Sequence, residues 1–184
     1  GRRRREDTCS YVHEQDVIGR DEDRQVLVDM LLDSNDKIDV IAMVGIAGLG
    51  KTTLAQLVYN DRRVTIQFEL RIWACVSDKL NFEDTMRQII LSVYRQVDPR
   101  IGIDQLRSHL LNAFRGKLFL LVLDDLCEGC LDKWWLDLRG MLSEGARGSK
   151  ILVTTQCGRV AQILGNTQPY DLKGLSEEDS WSLF

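Results

Sequence analysis

The chain has 184 residues, enough to bury one substantial core with at most a small appendage. It is 44% hydrophobic and 28% charged with two prolines, which is the composition of a globular α/β protein. A formal net charge of −4 gives no electrostatic reason to bind nucleic acid, and the longest apolar runs, such as 118–123, are far shorter than the roughly 20 residues a membrane-spanning helix needs.

Five cysteines, an odd number with several inside apolar strands, suit reduced thiols in a cytosolic protein better than a disulfide framework. Gly1 in place of an initiating Met, and a helical pattern still open at the last residue, predict an excerpt from something longer. The lack of a targeting signal therefore carries little weight.

Residues 1–16 are polar and without periodicity, and read as a solvated linker. Arg2-Arg3-Arg4-Arg5 also fits a basic patch for nuclear import or an acidic partner, but a linker is the simpler reading. After the short apolar Val17-Ile18, Asp21 can cap a helix whose apolar face includes Val26, Leu27, Met30 and Leu31. Ser34-Asn35-Asp36 ends it. Residues 38–44 are almost continuously apolar, as in a parallel strand covered on both faces.

That strand breaks at Gly45 into a loop that opens a helix over 51–60. Gly45, Gly50, Lys51 and Thr52 fit G-x-x-x-x-G-K-[ST], the phosphate-binding loop, with Gly48, Leu49 and Thr53 in the same stretch. The residue types follow from the task. Glycines let successive amides turn toward phosphate oxygens, the helix start adds the positive end of its dipole, Lys51 places a charge on the β- and γ-phosphates, and the Thr52 hydroxyl can ligate Mg²⁺. The bland alternative is a Gly-rich turn with an incidental lysine, but the strand before and helix after supply the context the motif requires. Glycines at 45, 48 and 50 do not match G-x-G-x-x-G, which rejects a hydride-transfer reading.

Residues 69–76 predict a second strand, with Ile72, Trp73 and Val76. Asn81 can cap a helix with Phe82, Met86, Ile89, Ile90, Val93, Tyr94 and Val97 on one side, broken by Pro99 and Gly102. A further amphipathic helix spans 103–114, with Leu106, Leu110, Leu111 and Phe114 inward and Gly116 at its end. Residues 118–123 form the most buried-looking strand and deliver Asp124 and Asp125. A helix over 131–142 carries Trp134, Trp135, Leu138, Met141 and Leu142, and a loop over 143–149 leads to a strand at 150–154. A short helix around Val160, Ile163 and Leu164, a fifth strand at 170–172, and a last helix opened by Ser176 with Asp179 complete the pattern. Strands alternating with helices predict a doubly wound parallel sheet, with ligands at the carboxyl ends of its strands.

An apolar strand ending in Asp124-Asp125 after a phosphate loop has the Walker B arrangement. Asp124 would help hold Mg²⁺ and Asp125 could accept a proton from an attacking water. The bland alternative is a turn-initiating acidic pair.

At this point the chain resembles a family. Val17-Ile18-Gly19-Arg20, the loop at 45–53, Phe68-Glu69-Leu70-Arg71-Ile72-Trp73-Ala74-Cys75-Val76-Ser77, the strand into Asp124-Asp125, Gly148-Ser149-Lys150-Ile151-Leu152-Val153-Thr154-Thr155, and Leu172-Lys173-Gly174-Leu175 leading to Asp179-Ser180-Trp181-Ser182-Leu183-Phe184 occur in order. Together they resemble the nucleotide-binding part of plant NB-ARC disease-resistance proteins, and the 68–77 stretch favours the class with an N-terminal coiled coil. The resemblance implies a P-loop NTPase with a five-stranded parallel sheet in order 2-3-4-1-5. It places the nucleotide-binding subdomain at 17–175, with a linker at 1–16 and the start of a following helical part at 176–184.

It further implies a STAND-class switch, in which ADP holds an autoinhibited monomer and exchange for ATP allows oligomerisation and immune signalling. Val17 and Ile18 would pack near adenine with Arg20 close by, the loop would take the phosphates, and Asp124 would support Mg²⁺. Coiled-coil, remaining ARC and leucine-rich-repeat parts would be intramolecular partners, in a cytoplasmic protein that can also be nuclear.

Two departures stand out. The family usually has arginine after Thr154-Thr155, where it senses the γ-phosphate; here it is Gln156, whose neutral amide lacks the charged fork of guanidinium. The coiled-coil class commonly has tryptophan where this chain has Cys127, and Cys127-x-x-Cys130 invites a zinc or redox reading that no second ligand pair nearby supports. Two free thiols in a loop, packed by Trp134 and Trp135, is the plainer expectation. Against a switch stand a P-loop kinase or efficient ATPase, for which no acceptor site or basic lid is evident, and a nucleotide-independent scaffold, against which Lys51, Thr52 and Asp124 argue.

Overall fold

The computed structural model describes residues 20–33, 37–76, 81–164 and 167–173. The elements run α1 (Asp21–Leu32), β1 (Asp39–Val44), α2 (Lys51–Tyr59), α3 (Arg62–Gln67), β2 (Leu70–Cys75), α4 (Phe82–Tyr94), α5 (Ile103–Phe114), β3 (Phe119–Asp124), α6 (Glu128–Leu142), β4 (Lys150–Thr155), α7 (Gly158–Ile163) and β5 (Thr167–Asp171). The five strands form one parallel sheet in the order β2-β3-β4-β1-β5, the order that the family resemblance implied. Val17, Ile18, the polar start and the helix expected from Ser176 lie outside the described residues.

Two-sided burial explains the apolar strands. Every residue of β3 and β4 is buried. Leu121, Leu123, Ile151 and Val153 face a core built with α4, α5, α6 and α7. Their neighbours Leu120, Val122 and Leu152 face the opposite way, with Ile41, Met43 and Trp73, into a second core built with α1, α2 and α3. The period-2 alternation of a strand thus feeds two separate cores from one continuous apolar run.

Local signals hold where side chains could act locally. Asn81 caps α4 as expected: its side chain accepts a hydrogen bond from Asp84 N at 2.9 Å, and Asp84 returns one from Asn81 N. Trp134 and Trp135 are buried, and Trp134 stacks on Phe82 at the start of α4, with ring centroids 5.5 Å apart. The expected cysteine loop is not formed, because α6 begins at Glu128, just after Cys127, and takes in Cys130.

Some expected faces are rotated. In α1 Val26 is exposed, and Val28 joins Leu27 and Leu31 in the core. In α5 Ala113 is buried and Leu111 only partly so. Tyr94 is 46% exposed and edge-on to His109 instead of facing inward. Each misplaced residue lies at the flank of the apolar stripe, where the neighbouring element decides which way the helix rolls.

Helix α3 is not among the sequence expectations. Val64-Thr65-Ile66 is a β-branched run with poor helix propensity, and only Val64 is buried. Tertiary ties make it a helix. Asp61 caps it by accepting from Arg63 N at 2.9 Å, and the Asp61 carboxylate also pairs with Arg24 of α1 and with the Arg63 guanidinium.

Arg63 hydrogen bonds, partly opposed by burial, hold the Asp61 carboxyl below its usual range. A group whose folded pKa is depressed stabilises above its unfolded pKa, and that stability is lost as pH falls through the folded value. Replacing Asp61 by Asn, which can still cap, should cost about 1–2 kcal/mol in denaturant unfolding at neutral pH. The deficit should shrink in acid, below the ordinary carboxylate range. A deficit that did not change with pH would show that the charge is irrelevant.

Candidate functional site

The carboxyl ends of β1, β3 and β4 converge on one set of residues. β1 ends at Val44, in register with Thr155 of β4, and Gly45 N donates to Thr155 O at 3.1 Å. From there the loop turns through Gly48 and Gly50, whose φ values of 85° and 79° lie in the left-handed region where a side chain is strained. Gly45 is needed for a different reason. A Cβ there would sit 3.2 Å from Leu49 and 3.3 Å from Leu172, so the loop closes tightly against the segment after β5. Leu172 N donates to Val44 O at 2.7 Å in the same place.

Lys51, the first residue of α2, is buried, and its Nζ donates to Ile46 O at 2.9 Å across the mouth of its own loop. Burial lowers the Lys51 pKa, while Asp125 and Asp124 oppose that shift. One residue on, the Thr52 hydroxyl donates toward Asp124, 3.0 and 3.1 Å from the two carboxylate oxygens.

Asp124, the last residue of β3, is only 7% exposed. Burial pushes its carboxyl above the usual carboxylate range; hydrogen bonds from Thr154 and Thr52 pull it down, the Asp125 charge raises it, and Lys51 lowers it. Thr154 Oγ1 donates to Asp124 Oδ1 at 2.5 Å and accepts from Asp125 N at 2.8 Å. Asp125 itself is exposed and takes a left-handed φ of 62°, so the acids expected to work as a pair point into different surroundings.

The other sequence candidates fall around this centre. Arg20 is buried at the start of α1, where its guanidinium donates to Leu49 O at 3.0 Å, to Lys173 O at 2.8 Å and to Asp23 at 3.1 Å. It therefore braces the phosphate loop against the strand β5 exit. Tyr170 of β5 donates to the same Asp23. Thr53 is partly buried in α2, and Gln156 is exposed just past β4. Arg159, three residues beyond Gln156, is paired with Glu128 at 3.1 Å on the surface. Among the described residues no group of three His, Cys, Asp or Glu side chains is arranged to hold a metal, and Cys75, Cys127 and Cys157 form no disulfide. The side chain of Cys130 lies outside the described set.

The sequence puts Thr154 at a ligand-facing strand end but gives it no role; the structure hydrogen-bonds it to Asp124 and to the Asp125 amide. Its signal was present: Thr154 and Thr155 are hydroxyl residues at the end of an otherwise aliphatic strand, and both are buried. A buried hydroxyl must be hydrogen-bonded, but only the β3–β4 pairing shows that Asp124 is the partner.

The donor set suits a magnesium–polyphosphate. A buried ammonium inside a glycine loop suits a polyanion, and a buried carboxylate beside a threonine hydroxyl suits a hard divalent cation that keeps most of its water.

Comparison with known proteins agrees. The NB-ARC domain model matches residues 20–184. Disease resistance protein RGA2 of Solanum bulbocastanum is 39% identical over 98% of this chain, and putative disease resistance RPP13-like protein 1 of Arabidopsis thaliana is 40% identical over 96%. The chain spans 19% and 17% of those proteins.

Among solved structures, the ADP form of the Aeropyrum pernix ORC2 protein aligns over 99% of this chain and 55% of its own, with a TM-score of 0.72 at 15% identity. A STAND ATPase with a tetratricopeptide-repeat sensor from Pyrococcus horikoshii aligns over 91% of this chain and 25% of its own, with a TM-score of 0.59 at 19% identity. These likenesses establish the P-loop NTPase fold. With the family model covering nearly the whole chain and relatives near 40% identity, this protein belongs to the NB-ARC family and carries its nucleotide-binding fold.

Proposed function

We propose that this chain is an adenine-nucleotide switch module of a plant disease-resistance protein, binding ADP or ATP with Mg²⁺. The observation that carries the reading is the buried Asp124 carboxylate, held by the buried Thr154 hydroxyl and the exposed Thr52 hydroxyl beside a Lys51 held within its own loop. Burial penalises both the Lys51 and Asp124 charges, and a magnesium-bound polyphosphate offsets both penalties at once.

In this reading the amides of 45–53 and Lys51 hold the phosphates, and Thr52 and Asp124 hold the ion. A magnesium ion held there would neutralise phosphate charge. Thr154 fixes the Asp124 carboxylate in one orientation, which leaves its outer face for the cation. Asp125, exposed beside it, would accept a proton from water. Arg20, Val17 and Ile18 belong to the adenine side, where Arg20 fixes Leu49 by its carbonyl. Gln156 occupies the position from which the family senses the γ-phosphate.

The wider roles are part of the same proposal: ADP favouring a resting state, ATP favouring an oligomer that signals, and contacts with coiled-coil, ARC and leucine-rich-repeat parts. That Cys75, Cys127 and Cys157 form no disulfide suits a reducing, cytoplasmic or nuclear setting. No helix among the described residues is long and apolar enough to cross a membrane.

Isothermal titration with ADP or ATP and Mg²⁺ tests the core of the reading. Lys51→Ala should weaken binding roughly 10- to 100-fold, the worth of charge-assisted hydrogen bonds, while thermal unfolding without nucleotide stays cooperative. Unchanged affinity would favour a scaffold. Steady-state hydrolysis should be slow, with ADP retained, whereas rapid turnover would identify an ATPase or kinase.

Thr154→Val should weaken nucleotide binding in Mg²⁺ more than in excess chelator, because the valine leaves the Asp124 carboxylate unheld; equal losses in both would show that Thr154 serves the fold alone. Gln156→Arg should strengthen ATP more than ADP. An equal gain for both nucleotides would remove residue 156 from any role in telling them apart.

A further inference from the structure

At the amino ends of the strands, opposite the nucleotide site, a half-open cavity of about 390 Å³ lies between the start of β1 and β4 and the end of α6. We propose that it binds a small amphipathic anion, an organic acid with an apolar body. The volume falls within the range of small-molecule pockets. Its floor is apolar, made by Val40, Leu142 and Ile151. Its rim carries Lys37, Arg139 and Arg147.

Charge bookkeeping favours an anion. The carboxylate lining the cavity, Asp39, is bound at 3.0 Å by Lys150, whose side chain is fully buried beneath it. Asp39 therefore does not balance the rim cations; of these, Arg139 also donates to Leu164 O at 3.5 Å, which leaves Lys37 and Arg147 as the principal anion-binding groups. The end of α6 carries partial negative charge, which three full positive charges at the rim outweigh, and the carbonyls of Arg139, Gly140 and Leu142 are already hydrogen-bonded. Ser143 N takes Arg139 O at 3.0 Å, Ser143 Oγ takes Gly140 O at 2.6 Å, and Gly145 N takes Leu142 O at 3.0 Å.

Guanidinium groups over an apolar floor match a carboxylate, sulfonate or phosphate monoester joined to a ring or short alkyl chain. β1 separates this cavity from the phosphate loop by its whole length, about 17 Å for six residues. The two sites need not compete, and β1 and β4 form a continuous connection between them.

The test uses the full chain with methyl-resolved NMR and three probes: 4-phenylbutyrate, its neutral counterpart 4-phenylbutanol, and inorganic phosphate. The acid should shift the Val40, Leu142 and Ile151 methyls saturably, with at least roughly tenfold tighter binding than either the alcohol or phosphate. Arg147→Glu, at an exposed position, should weaken the acid by roughly tenfold or more, and Lys37→Gln should weaken it to a lesser degree. Both variants should keep the parent's unfolding temperature. Saturating ADP with Mg²⁺ should leave the affinity within reach of the parent value and displace nothing.

The proposal is overturned if those methyls show no saturable shift, if the alcohol binds as well as the acid, if both variants bind it like the parent, or if nucleotide displaces it. Failure of nucleotide binding itself would leave these results unaffected, so the two readings fail separately.

Discussion

The Asp124 carboxylate is the constraint on which the site depends. It is buried at the end of a strand that has no other polar side chain. A buried carboxylate is costly unless it is hydrogen-bonded. Two threonines meet the need, one from the first turn of α2 and one from β4. Each of those contacts ties a different element to the end of β3. The loop between β1 and α2 is thereby held against the two strands that flank it, and Lys51 arrives in the same place because it immediately precedes Thr52.

The sheet order makes this possible. With β4 between β1 and β3, the phosphate loop and the acidic strand end lie two positions apart, and the end of β4 fills the gap. Thr154 reaches Asp124 and the Asp125 amide, Thr155 O receives Gly45 N, and Thr155 Oγ1 donates to Leu126 O. The central strand is therefore both scaffold and ligand-site wall. Its only polar surfaces are at its two ends: the threonines at the carboxyl end, and Lys150 with its Asp39 partner at the amino end. An ion pair at one end and a hydroxyl network at the other satisfy the polar groups that a fully buried strand cannot leave unpaired.

The N-terminal helix has a role that its composition does not announce. Arg20 joins the loop carbonyl of Leu49 to the carbonyl of Lys173, and Asp23 is shared by Arg20 and Tyr170. Two points 153 residues apart in the chain are thus clamped on the same side of the phosphate loop. The loop is thereby tied both to the start of α1 and to the segment where the chain leaves β5.

Sequence alone determined the strands, most helices and the principal phosphate and acidic motifs, because each is a local pattern. Continuous apolarity marks a doubly covered strand, Asn81 and Asp84 reach each other across one turn, and glycine, lysine and threonine spacing follows from how a backbone wraps a phosphate. The order of the strands was legible through family resemblance and not through periodicity, since parallel strands of similar composition can be laid down in several orders.

What tertiary structure alone decided was partnership across the chain. It turned β-branched 64–66 into a helix through Asp61 and Arg24, rolled Val26 outward and Val28 inward, and brought Thr154 to Asp124. It also turned Arg20 onto the carbonyls of Leu49 and Lys173. The Thr154–Asp124, Arg20–Leu49, Arg20–Lys173 and Arg24–Asp61 contacts join residues distant in sequence, so no local window contains them, whereas the Asp61–Arg63 cap that shares in holding α3 is local.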